Sequence, residues 1–150
     1  MEAMKTRYRV LKGWKYQLLD NYKIYVEIYP RADISTAYLH LTTGGQLIIR
    51  AGYAWDGASG PTFDTPCTMR ASLVHDVLYQ MMRLGVISIS YRKYADTLLR
   101  DILAYDGRTF LNRIRAWYFY WAVRIFAGKA ARPGTQREPE ICELGGANAA

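Results

Sequence analysis

The chain of 150 residues is long enough for one packed domain and too short for two full cores. Hydrophobic residues make up 51% of it and charged residues 22%, which excludes wholesale disorder. Lysine and arginine total 20 against 13 acids; the net charge of +7 favours anionic partners such as phospholipid headgroups, nucleic acid or an acidic protein.

The first third reads as β-structure. Trp14 to Leu19 is a candidate edge strand. From Tyr22 to Tyr29, Ile24, Val26 and Ile28 alternate with Tyr25, Glu27 and Tyr29, the period of a half-buried strand, and Pro30 ends it. Ala37 to Leu41 predicts a second strand. Gly44 and Gly45 make a tight turn, and Gln46 to Ala51 returns as a third strand. Together these predict one small antiparallel meander. Gly52 to Pro66 has three glycines and two prolines without a period, and reads as a loop of the kind that carries function.

Three helices are expected next. Thr65 caps the first, with Pro66 in its first turn; Leu73, Val74, Val77, Leu78 and Met81 form its apolar face and Gly85 stops it. Ser90 is the candidate cap of the second, whose Tyr94, Leu98, Ile102 and Tyr105 recur at helical spacing up to Gly107. The third runs from about Thr109 to Ala127. The fold class expected is therefore α+β, an N-terminal antiparallel β-meander followed by three α-helices. Residues 1–128 form a single domain, and 129–150 a flexible tail removable beyond about Arg132 without unfolding. Cys67 and Cys142 have no partners at metal-finger spacing and read first as two free thiols in a reducing compartment, and second as one bridge. Met1 to Lys12 shows no apolar run before its charges, so no secretory signal is expected. The apolar run Ala116 to Val123 is far short of the roughly 20 residues of a membrane span.

The chemistry concentrates in His75-Asp76-Val77-Leu78-Tyr79 and in Asp96. On a helix His75 and Tyr79 share a face, and Asp76 is turned by about 100° from His75, toward a neighbouring loop. The short Gly85 to Ile89 connection should fold the second helix back so that Asp96 meets the His75–Tyr79 face, fixing the imidazole tautomer and supporting its positive charge. Asp56, Gly57, Ser59 and Gly60 in the loop, with Asp76, suggest an all-oxygen site suited to calcium. Beside such a cation a histidine can act as general base toward water in hydrolysis of an ester. The competing reading is structural: His75 as a core histidine, Asp96 paired with Arg100 at i+4, Asp56 as a turn residue, and Gly57 and Gly60 serving loop geometry.

With only His40 and His75, multi-histidine metal sites cannot be built, and no phosphate loop, dinucleotide fingerprint or nucleophile elbow is present. The third helix holds Trp117, Tyr118, Phe119, Tyr120, Trp121, Ile125 and Phe126 near Arg113, Arg115 and Arg124. It reads first as a buried packing helix with outward-reaching arginines, and second as an interfacial helix on phospholipid. Nucleic acid is not favoured, for lack of a binding motif.

Two resemblances follow from these residues. Trp55-Asp56-Gly57-Ala58-Ser59-Gly60-Pro61, Arg70 to Tyr79, Arg92-Lys93-Tyr94-Ala95-Asp96 and the Trp121 to Arg124 segment resemble a family of small proteins of tailed bacteriophages and prophages with no established activity. This likeness spans about residues 20 to 128 and implies a viral origin, with the host cytoplasm or the virion as location and other phage proteins or an anionic membrane surface as partners. More locally, a glycine-rich loop, His-Asp-x-x-Tyr on a helix and Ala-Asp on the next helix are similar to the phospholipase A2 arrangement. That similarity implies His75 as base, Asp76 as calcium ligand, and Tyr79 and Asp96 as the supporting network, with Tyr53, Gly57 and Gly60 in place of the calcium loop. The bracing cysteines of that enzyme are missing, the glycine spacing differs, Asp56 is extra and a β-meander precedes the helices. Two functions are expected from all this: a phage hydrolase, calcium-assisted and acting on phospholipid or another cell-envelope ester, or a non-enzymatic virion or assembly protein whose polar cluster is structural.

Overall fold

The computed structural model describes residues 7–11, 15–57, 66–107 and 109–133. The fold is α+β: short antiparallel strands first, then three α-helices. The strands form two sheets instead of one meander. In the first, β2 (Lys15–Leu18) lies between β1 (Tyr8–Leu11) and β7 (Ala54–Trp55); in the second, the order is β3 (Tyr22–Tyr25), β6 (Gln46–Ile49), β5 (Leu39–Leu41) and β4 (Ile34–Ser35). All neighbours are antiparallel.

The segment expected at the edge of the meander is thus the middle strand of a separate sheet. Two of its residues pair with a segment expected to be loop: Tyr16 faces Trp55 and Gln17 faces Ala54. Two-residue strands such as β4 and β7 are too short to show a period, so they exist only through their partners. The alternation in the Tyr22 segment holds in burial through Tyr29, with Tyr22, Ile24, Val26 and Ile28 inside and Tyr25 and Tyr29 outside. Ladder pairing stops at Tyr25: Val26 N–H still donates to the Gly45 carbonyl in register, but Gly45 N–H donates to Thr42 within the turn, so the next pair is only half made. Gly45 has φ +79°, and a Cβ there would stand 2.5 Å from the Val26 carbonyl oxygen, so the turn requires glycine.

The first helix, α1 (Pro66–Arg83), is buried nearly all round: Met69, Ala71, Leu73, Val74, Val77, Leu78, Met81 and Met82 are in the core. It ends at Gly85, whose φ of +68° is the left-handed stop expected from the sequence. A 3-10 turn, Ile89–Tyr91, precedes α2 (Arg92–Gly107). Ser88, not Ser90, caps that turn: its side chain accepts from Ser90 N–H at 3.2 Å. The predicted helix start was displaced because the turn inserts between cap and helix. The last helix, α3 (Phe110–Phe126), is capped by Thr109, which accepts from Asn112 N–H at 3.3 Å. α2 packs against both α1 and α3.

Sheets and helices share one apolar core, and side-chain bonds cross between them. Trp55 Nε1–H donates to Ser72 Oγ at 3.2 Å, Tyr53 O–H to Gln80 at 2.7 Å, and Glu27 N–H to the Tyr94 hydroxyl at 2.8 Å. Beyond α3, Ala131 is fully buried and the Ala130 carbonyl accepts from Arg83 at 3.1 Å, so the fold continues past residue 128. The rest of the expected tail, from residue 134, lies outside the described residues, as do Thr65 and Cys142.

Candidate functional site

Helical geometry puts His75 and Tyr79 one turn apart on α1, with ring centroids 4.1 Å apart and planes tilted by 35°. Asp96 reaches them from α2. Its Oδ1 accepts from Tyr79 O–H at 2.7 Å and lies 2.9 Å from His75 Nε2. Its Oδ2 accepts from Arg124 of α3 at 3.0 Å, and Arg92, one turn earlier on α2, stands 4.0 Å away. One carboxylate therefore joins all three helices.

Asp96 has no exposed surface, and burial alone would favour its neutral form. The bonds from His75, Tyr79 and Arg124 outweigh burial, and its carboxyl is held below the ordinary aspartate value. An ionised carboxylate only accepts, so the proton on the facing imidazole nitrogen must be on Nε2. That fixes Nδ1 as the free basic atom of neutral His75. Nδ1 faces Asp76, whose Oδ1 is 3.8 Å away.

His75 thus lies between two carboxylates. Burial works against its charged form, but the nearby negative charge of Asp76 and the hydrogen bond and charge of Asp96 prevail and raise its pKa. Asp76 moves the other way from Asp96. Burial raises its pKa, His75 opposes this, and the negative charge of Asp56 adds to it. The Tyr79 phenol is pushed up by burial and by Asp96, and the Tyr53 phenol by burial and by the charges of Asp76 and Asp56.

The structure brings together His75, Asp96, Tyr79 and Asp76 as the sequence predicts. The pairing of Asp96 with Arg100 does not form: Arg100 donates to Asp101 at 2.7 Å, and the partner of Asp96 is Arg124. Asp56 is exposed and acts on Asp76 through its charge. Gly57 is buried with φ +81°, and a Cβ there would stand 2.6 Å from the Tyr16 ring, which accounts for its lack of a side chain. Ser59 and Gly60 lie outside the described residues.

For a hard cation, the donor type fits: Asp76 and Asp56 are oxygen ligands whose mutual repulsion a divalent ion would relieve. Among the described residues no group of three or more His, Cys, Asp or Glu side chains stands together as a metal-holding cluster.

Two arginines that the sequence does not single out also belong to the site. The sequence places Arg124 as an outward-reaching flank of an aromatic helix. Arg92 donates from Nε to the Tyr79 oxygen at 3.3 Å and from its terminal nitrogen to the carbonyls of Val123 at 3.2 Å and Arg124 at 2.5 Å. It therefore satisfies carbonyls at the end of α3 and seats Arg124. The Arg92–Asp96 spacing of i, i+4 was the available signal; for Arg124 there was none, since its approach depends on how α3 crosses α2.

Comparisons with protein families, curated proteins and solved structures found no match to this chain.

Proposed function

We propose that the protein is a bacteriophage hydrolase of phospholipid or another cell-envelope ester, with His75 as general base. The observation that carries this is the wholly buried Asp96 holding His75 Nε2 while Nδ1 is turned to the more exposed Asp76. In this reading Nδ1 takes a proton from water as the water oxygen bonds to the ester carbonyl carbon. The imidazolium is stabilised between Asp96 and Asp76. It returns the proton to the leaving oxygen as the carbon–oxygen bond breaks. Tyr79 and Arg124 hold Asp96 ionised and in place. Calcium, held by Asp76 and Asp56, would supply positive charge near the substrate's carbonyl oxygen. The chain would work in the host cytoplasm or the virion, with other phage proteins or an anionic membrane surface as partners. No described helix is long and apolar enough to cross a membrane.

A second reading is favoured by a specific observation: His75 is only 6% exposed and Asp96 0%, the burial expected of a polar knot that locks three helices in a virion or assembly protein. Phospholipid and short-chain ester hydrolysis by the native protein and by His75→Ala, each with calcium and with chelator, separates the two. The hydrolase reading expects a fall of about a hundredfold or more in His75→Ala. Equal background turnover in both proteins overturns it and leaves the structural reading.

A further inference from the structure

α3 is not the buried packing helix expected first from its composition. Only Ala116 and Phe119 are in the core; Phe110, Leu111, Ile114, Trp117, Tyr118, Trp121, Ile125 and Phe126 are each more than half exposed. At 100° per residue all of these but Phe126, the last residue of the helix, fall on one stripe about 120° wide, opposite the core-facing side. Arg113 and Arg124 border the stripe on one flank and Arg115 on the other. The helix carries no acidic residue.

Beside the first flank a cleft of about 280 Å3 opens between α2 and α3, with Arg100 and Arg113 at its walls next to Trp117. The Arg100 guanidinium lies over the rings of Trp117, at 5.1 Å, and Tyr120, at 5.5 Å. Asp101, paired with Arg100 at 2.7 Å, is the acid in that cleft.

We propose that this face of α3 docks on an anionic phospholipid surface, with the helix lying in the interface plane. The stripe's centre, Ile114, Trp121 and Ile125, enters the boundary between headgroups and acyl chains; Trp117 and Tyr118 sit at headgroup depth; Arg113 and Arg115 face lipid phosphates. Charge decides among occupants. A second copy docked face to face would bring arginine flanks together with no acid on either α3, and Asp101 beside one flank is already paired with Arg100. A nucleic acid would use the arginines but leave the aliphatic centre of the stripe uncovered. Anionic lipid meets both requirements.

This inference deepens the envelope-directed part of the function proposed above, but binding and turnover are measured separately, so either can fail alone. The full chain is sedimented with vesicles of phosphatidylglycerol and phosphatidylcholine, and with vesicles of phosphatidylcholine only. The expected result is pelleting with the anionic vesicles, weakened in about 0.5 M salt and at least about tenfold weaker for Trp117→Ser/Trp121→Ser and for Ile125→Glu, with circular dichroism and melting as in the native chain. Arg113→Glu should weaken it too. These positions are exposed, and Ile125→Glu serves if the double variant does not fold. No pelleting, equal pelleting with both vesicle types, or a dimer in solution that Ile125→Glu dissociates overturns the proposal. Turnover of a soluble short-chain ester without vesicle binding sinks the docking face alone; vesicle binding without turnover sinks the hydrolase alone.

Discussion

Removing the Asp96 carboxylate should be among the most damaging single changes in this fold. Asp96→Ala strands three donors: His75 Nε2, Tyr79 O–H and an Arg124 N–H. Arg124 has a side chain 29% exposed and can turn to water, so its share is small. Tyr79 and His75 are 2% and 6% exposed and cannot. Each buried donor left unpaired costs about 1–3 kcal/mol, and breaking a buried charged pair from one side costs about 3–5 kcal/mol. The two estimates overlap, so a loss of about 3–5 kcal/mol is expected, or roughly 10–15 °C in Tm for a chain of this size. Urea unfolding followed by circular dichroism measures it, with an unchanged m-value as the sign that the unfolded state is unaffected. The pH dependence provides an internal check. The folded pKa of Asp96 is depressed, so its contribution is complete above the unfolded value of about 3.9 and is lost as pH falls through the folded one. The gap in stability between native protein and Asp96→Asn should therefore close toward low pH. A loss under about 1 kcal/mol for Asp96→Ala, or a gap that persists in acid, would refute the account of this carboxylate as the charged centre of the three helices.

Three further outcomes are expected. His75 has a raised folded pKa, so its contribution is full below the unfolded value of about 6.5 and is lost as pH rises through the folded one; melting of native protein against His75→Gln across neutral to alkaline pH should show the difference shrinking. Gly45→Ala should cost more than Gly85→Ala, because both have positive φ but only Gly45 would press a Cβ against backbone, and Gly85 has open space around it; equal melting temperatures would contradict this. The pair Arg70–Asp106, at 3.0 Å between α1 and α2 with the Asp106 side chain 12% exposed, should make Asp106→Ala cost about 1–3 kcal/mol, while Arg70→Met/Asp106→Leu together should cost less than the single change, as measured by urea unfolding.

Residues close in the sequence carried most of what could be read without the fold. The alternation of Tyr22, Ile24, Val26 and Ile28, the glycine turn at Gly45, the stop at Gly85 and the helical faces all depend on a period or on one residue's backbone freedom. For the same reason His75 and Tyr79 were legible as one face, since four residues on a helix make slightly more than one turn. Asp96 was legible at one remove, because a short connection leaves the next helix little choice but to fold back.

What stayed hidden required partners far along the chain. β4 and β7 hold two residues each and are strands only through their neighbours' unpaired backbone groups. The partner of Asp96 was decided by how α3 crosses α2: a buried carboxylate recruits the cation that packing brings to it, so Arg124 prevails over Arg100 on the carboxylate's own helix. Burial of α3 was decided the same way. Its composition suits a core helix or a surface one equally well, and only the way it packs on α2, which also packs on α1, determined that most of its aromatic rings face outward.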